Sequence, residues 1–220
     1  LNEHELGRKL YLDVKSYVSP LFFIPLKILK IIQLDDILSV RYLGLFFNCL
    51  NSFLLFQILK TIFSSRFAIF VTLFCITIIF SDHAFFFFDY DIITLTAFLG
   101  TVYFTCKLEK NDKNLLNNFF IGFFLCLVFL LKYSIGIVLI LSFLLSFLLN
   151  KINLRDLVII TCSSIFSFLV SILVFYLLFG IGLEWLNIYH VDDAPNKGGL
   201  LNMLSFLFVK DIERKAYSLT

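Results

Sequence analysis

Charge is scarce in this chain. Asp, Glu, Lys and Arg supply 15% of its 220 residues, while hydrophobic residues supply 60%. An ordinary soluble domain is about one quarter charged. Much of the surface of a soluble protein must face water, so this composition excludes a soluble enzyme and a disordered chain. The net charge of +2 is too small to suggest a polyanion, which excludes a nucleic-acid binder. Paired cysteines are missing too. Cys49, Cys75, Cys106, Cys126 and Cys162 stand singly, with no CxxC and no Cys/His cluster. That argues against a disulfide or metal framework and for small apolar packing residues. His4, His83 and His190 show no HxxxH or HExxH spacing, so none reads as a metal ligand. No Gly-rich phosphate loop and no GxSxG occurs. Charge is lacking in the middle of the apolar runs, which counts against a proton pump or ion carrier. No GxxxG occurs, which counts against a structural assembly subunit.

What is there in abundance is apolar length. Phe alone supplies 30 residues, and the mean hydropathy is +0.95. Windows free of Asp, Glu, Lys and Arg cover 42–59, 67–81, 92–106, 114–131, 133–150 and 157–183. Crossing the hydrocarbon takes about 20 helical residues. The shorter windows reach that length once flanking charges sit at the interface. The runs are apolar on every face and lack the alternation of barrel strands. The expected fold class is therefore all-α, a polytopic transmembrane bundle with about six spans.

The charges between the windows alternate. Connectors 60–66, 107–113 and 151–156 hold Lys60, Arg66, Lys107, Lys110, Lys113, Lys151 and Arg155. The other connectors hold only Lys132 and Lys197, with Asp82, Asp89, Asp91, Glu184, Asp192 and Asp193. The positive-inside rule places the first set in the cytoplasm and the second outside. Residues 1–41 then form an extracytoplasmic loop, 42–183 the bundle, and 184–220 a second outer loop with a truncated following segment. Within the first loop, SPLFFIPLKILKIIQ (19–33) carries Lys27 and Lys30 on one face, and Pro20 and Pro25 disturb its start. It reads as an amphipathic helix on the outer surface; a short spanning helix is the alternative. Leu200–Val209 is too short to cross alone. Leu1 in place of Met, and an open end at KAYSLT, lead us to expect a fragment of a longer chain, with a further helix ahead of it. Phe/Ile/Lys/Asn-rich usage points to an AT-rich bacterial genome, hence an inner (plasma) membrane.

The outer end gathers most polar groups, so it is the candidate site. Asp89 and Asp91 flank Tyr90 at the start of the window 92–106. Two roles fit them. They cap a helix N-terminus, or they orient a cationic partner or a divalent cation. Lys132 interrupts an apolar stretch from Leu115 to Leu149. It either snorkels to the outer surface or meets a phosphate group. Tyr133, Ser134 and Gly136 beside it suit a tight turn. Arg41, where the first window begins, is an interfacial anchor or a second phosphate contact. Trp185 and Tyr189 read as interfacial aromatics, and HVDDAPNKGG (190–199) as a polar loop.

Taken in order, these features resemble the GT-C membrane glycosyltransferases, in the branch of protein O-mannosyltransferases and lipid A aminoarabinose transferases. The stretch GRKLYLDVKSYVSPLFFIPLKIL is similar to that branch's first outer loop, with Gly7, Tyr11, Asp13, Pro20 and Arg41 in order. Tyr90-Asp91 matches the Asp, or Tyr-Asn pair, that opens a later outer helix. Lys132, in FLLKYSIG, matches the Lys that closes the outward helix of the next hairpin. The resemblance spans roughly residues 5 to 180. It implies transfer of a sugar from a polyprenyl-phosphate donor to a lipid, glycan or protein acceptor on the outer face. Asp13, Lys15, Arg41, Asp89, Tyr90, Asp91 and Lys132 would then bind substrate. The general base would lie upstream of Leu1, leaving the fragment inactive alone. No metal ligand set is expected, with a divalent cation the only candidate cofactor. A multi-helix transporter or lipid flippase subunit is the second reading.

Overall fold

The computed structural model describes residues 19–34, 37–81, 88–109, 114–149 and 152–181. Among them are seven α-helices and no strand. They are α1 (Pro20–Ile31), α2 (Ile37–Ile62), α3 (Ser65–Ser81), α4 (Tyr90–Glu109), α5 (Leu115–Leu131), α6 (Tyr133–Leu148) and α7 (Leu154–Phe179). Each apolar window became one helix. Six crossings were expected; α2, α4 and α7 are long and apolar enough to cross a membrane, and they mark a membrane protein. The shorter apolar helices α5 and α6 have 17 and 16 residues. The chain divides into two compact units, Val18–Ser171 and a second made of Leu1–Tyr17 with Ile172–Thr220. The packing below concerns the first; of the second, residues 172–181 complete α7 and the turn after it.

Local chemistry starts and stops the helices where it should. Pro20 occupies the first turn of α1, where a missing N–H costs nothing. Ser19 Oγ accepts the Leu21 N–H at 3.3 Å. Asn114 caps α5 the same way, accepting the Leu116 N–H at 3.2 Å. Pro25 lies inside α1 without ending it. Within the apolar helices, Ser and Thr hydroxyls return to carbonyls three or four residues back, as at Thr72, Thr101 and Ser142. A polar side chain is thereby carried without a partner from outside.

The central pair is α4 and α5, which run antiparallel. Phe104 stacks on Phe120 at 4.9 Å. Gly100 lies under the Phe124 ring, and Ala97 shares a buried cluster with Val128 and Leu131. Helix α2 lies along α4 in the same direction. Asn51 reaches Ile92 near the start of α4, and Leu54 and Ile58 pack with Leu99 further on. On the other side, α6 folds back along α5, with Phe143 clustered with Ile121 and Leu125. The start of α7 runs parallel to α5, with Ile160 in the same cluster.

The turn between α5 and α6 falls at Lys132, as the windows on either side of it place it; Tyr133, Ser134 and Gly136, expected to help form the turn, lie instead within α6. The turn is Lys132 alone, at φ −139° and ψ 84°. Its N–H donates to the Val128 carbonyl at 2.7 Å, and its carbonyl accepts from Ile135 and Gly136 at 3.0 and 3.1 Å. Gly136 contributes closeness rather than turn conformation. A Cβ there would sit 2.5 Å from Phe129 Cα, so only glycine lets the two helices meet this tightly.

Candidate functional site

The antiparallel register of α4 and α5 brings the first turn of α4 to the last turn of α5. There the Lys132 ammonium donates to Asp91 Oδ1 at 2.7 Å. Both side chains reach solvent, 42% exposed for Lys132 and 67% for Asp91. The neighbouring carboxylate behaves differently. Asp89 Oδ1 accepts the N–H of Tyr90 at 2.6 Å, at the start of α4. The two aspartates thus divide the two roles that the sequence left open: Asp89 satisfies a free amide at the helix start, and Asp91 meets a cation.

Aromatic packing sets α1 beside this end of the bundle. The Phe22 ring stacks on Phe88 at 5.2 Å, and meets Tyr90 edge-on at 6.2 Å. Phe47 of α2 closes on Phe88 at 5.7 Å. Buried below them are Ile93, Val128 and Leu131. Arg41 is exposed in the first turns of α2, next to Val40, which packs against the same cluster. Arg41, Asp89, Tyr90, Asp91 and Lys132 therefore gather at one end, with α1 across it. Asp13 and Lys15 lie outside the described residues, as do the surroundings of His83 and the loop 190–199. The opposite end carries Lys60, Arg66, Lys107 and Arg155 at the helix termini. Among the described residues, no three His, Cys, Asp or Glu side chains come together. A cation at Asp89 and Asp91 would have to draw on other ligands, and would compete with Lys132.

Marking only the charged residues passed over the uncharged polar ones. Asn51 Nδ2 donates to the Ile92 carbonyl at 3.2 Å, one residue from Asp91, and its buried Oδ1 has no hydrogen-bond partner among the described residues. Near the basic end, Asn118 Nδ2 donates to Asp156 Oδ1 at 2.8 Å. Both residues are buried, and Asn118 Oδ1 also lacks a partner among the described residues. Ser163 and Ser164 of α7 donate to the Phe119 and Gly122 carbonyls of α5 at 2.7 and 3.0 Å. The signal was present in the sequence. Asn48, Asn51, Asn117 and Asn118 interrupt apolar windows, and an amide buried among apolar residues needs a partner from another helix.

Among the described residues, the arrangement offers a solvent-accessible cation held by a single carboxylate, on a hydrogen-bonded backbone turn, at the polar end of an apolar bundle. No family model, no curated protein and no solved structure matches the chain.

Proposed function

We propose that the chain belongs to a membrane glycosyltransferase of GT-C type, which moves a sugar from a polyprenyl-phosphate donor to an acceptor on the extracytoplasmic face. The observation that carries this reading is the 2.7 Å contact between Lys132 and Asp91. These are two of the residues that the resemblance to that group assigns to substrate, and they sit 41 positions apart in sequence. The same end holds Arg41, Tyr90 and α1, consistent with a surface helix lying beside a headgroup-level site. A phosphate leaving group needs fixed positive charge, and Lys132 and Arg41 are of the right kind.

In this reading α3, α5 and α6 also span. Seventeen helical residues cover about 25 Å, short of the ~30 Å hydrocarbon by an amount that flanking residues and local thinning can close. Six alternating spans put the Lys60, Arg66, Lys107 and Arg155 end in the cytoplasm by the positive-inside rule. The ion-pair end then faces outward from a bacterial plasma membrane. The alternative, a transporter or flippase subunit, calls for charge buried near the membrane midplane. Asp156 is the buried carboxylate among the described residues, and it stands in the first turn of α7, which favours the transferase.

The test uses the full-length enzyme in membranes with a radiolabelled polyprenyl-phosphate sugar. Lys132→Ala and Asp91→Ala should each lower transfer by about 100-fold or more, with the protein level unchanged. Lys132→Arg should keep part of the activity, since the charge remains while its geometry changes. Wild-type turnover in either alanine variant would refute the assignment.

A further inference from the structure

The ion pair has an unusual construction. Lys132 is the whole connection between α5 and α6, and three backbone hydrogen bonds fix its N–H and carbonyl to both helices. Its side chain caps neither helix; the ammonium is held by Asp91 of another helix. The backbone is therefore fixed at three points, while the charged tip is tethered, among the described residues, by one exposed contact. An exposed ion pair is weak, because water and salt compete for both partners. A phosphodiester, the form of the phosphate in a polyprenyl-phosphate sugar, matches the charge of a carboxylate, and its lipid and sugar add contacts that an exposed carboxylate lacks, so it can displace one from an ammonium group. Lys132 can change partner by side-chain rotation alone, with no movement of α4, α5 or α6.

We propose that the Asp91–Lys132 pair is an exchangeable latch. The phosphodiester of an incoming lipid-linked sugar displaces the Asp91 carboxylate from Lys132. The freed carboxylate then accepts a hydrogen bond from a hydroxyl of the arriving substrate. Asp91 thus acts against donor binding and for the step after it, and it couples arrival of the phosphate to exposure of an acceptor group. This inference rests on the glycosyltransferase reading for the source of the phosphate, but the latch itself rests on the contact.

Two variants separate the roles. Asp91→Asn keeps the shape and removes the competing charge; Lys132→Gln removes the cation. Binding of farnesyl methyl phosphate, a phosphodiester, to the full-length protein in lipid nanodiscs is measured by titration, with inorganic phosphate as competitor. The latch predicts that Asp91→Asn binds farnesyl methyl phosphate about two- to fivefold more tightly than wild type, the scale of an exposed pair, and that Lys132→Gln binds at least tenfold more weakly. High salt should shrink the difference between Asp91→Asn and wild type. If Asp91→Asn binds no more tightly than wild type while Lys132→Gln is weakened, the phosphate site stands and the latch is overturned. If wild type does not bind the probe, both the latch and the donor reading are overturned. Competition by inorganic phosphate at equal concentration supports the latch and overturns a lipid as its source.

Discussion

Gly122 is where the packing of α5 and α7 is least forgiving. A Cβ built there runs into the Ile160 carbonyl oxygen, and lies 2.8 and 2.9 Å from Ser163 Cβ and Oγ. The first obstacle is backbone, so Gly122→Ala must push the helices apart. Overpacking of this kind costs about 1–3 kcal/mol. Separation also stretches the Ser163–Phe119 and Ser164–Gly122 hydrogen bonds, now 2.7 and 3.0 Å, each worth about 0.6 kcal/mol within a membrane. Against this, Ala is favoured over Gly in a helix by about 1 kcal/mol. The net expectation is a loss of about 1–3 kcal/mol. Gly100 supplies the control. There the three atoms nearest a Cβ belong to the Phe124 ring, at 2.8–2.9 Å, and a side chain yields more readily than a carbonyl of a neighbouring helix. Gly100→Ala should therefore fall within about 1 kcal/mol of wild type, because strain and helix propensity nearly cancel. Reversible unfolding in mixed micelles of increasing SDS content measures both. Equal stability of Gly122→Ala and wild type, or a larger loss at Gly100 than at Gly122, would refute the close approach of α5 and α7.

Two further expectations follow from named contacts. Asp156→Ala strips the Asn118 amide of its buried partner, and should cost about 1–3 kcal/mol in the same unfolding assay. The Asn118→Ala, Asp156→Ala double variant should lose less than the two singles combined, and strict additivity would show that the pair is not coupled. The bundle's direction can be read with single cysteines on a cysteine-free background. Positions 91 and 132 should react with an impermeant thiol reagent from one side of the membrane, and positions 60 and 107 from the other. Labelling of 91 and 132 from opposite sides would remove the candidate site altogether.

Much of this protein was settled locally, by composition and by where the charges fall. A run free of charge and too apolar for water becomes a helix because the backbone must bond to itself. The expected window 92–106 accordingly lies within α4, and 133–150 overlaps α6. The same charges separated Lys60 and Lys107 from Asp91 and Lys132 along the chain. Their roles as partners were not decided there. By polarity alone Asp89 and Asp91 look near equivalent, two residues apart; the resemblance points to Asp91, and the register of α4 against α5 is what brings Lys132 to it. That register depends on how Ala97, Gly100 and Phe104 mesh with Val128, Phe124 and Phe120, which is a matter of shape rather than polarity. The sequence places the turn at Lys132, but the role of Gly136 has the same origin as the register: it passes Phe129 closely so that the chain can reverse so sharply. Buried amides follow suit. That Asn118 needs a partner is written in its chemistry, but that the partner is Asp156, 38 residues on, exists only once α7 lies beside α5.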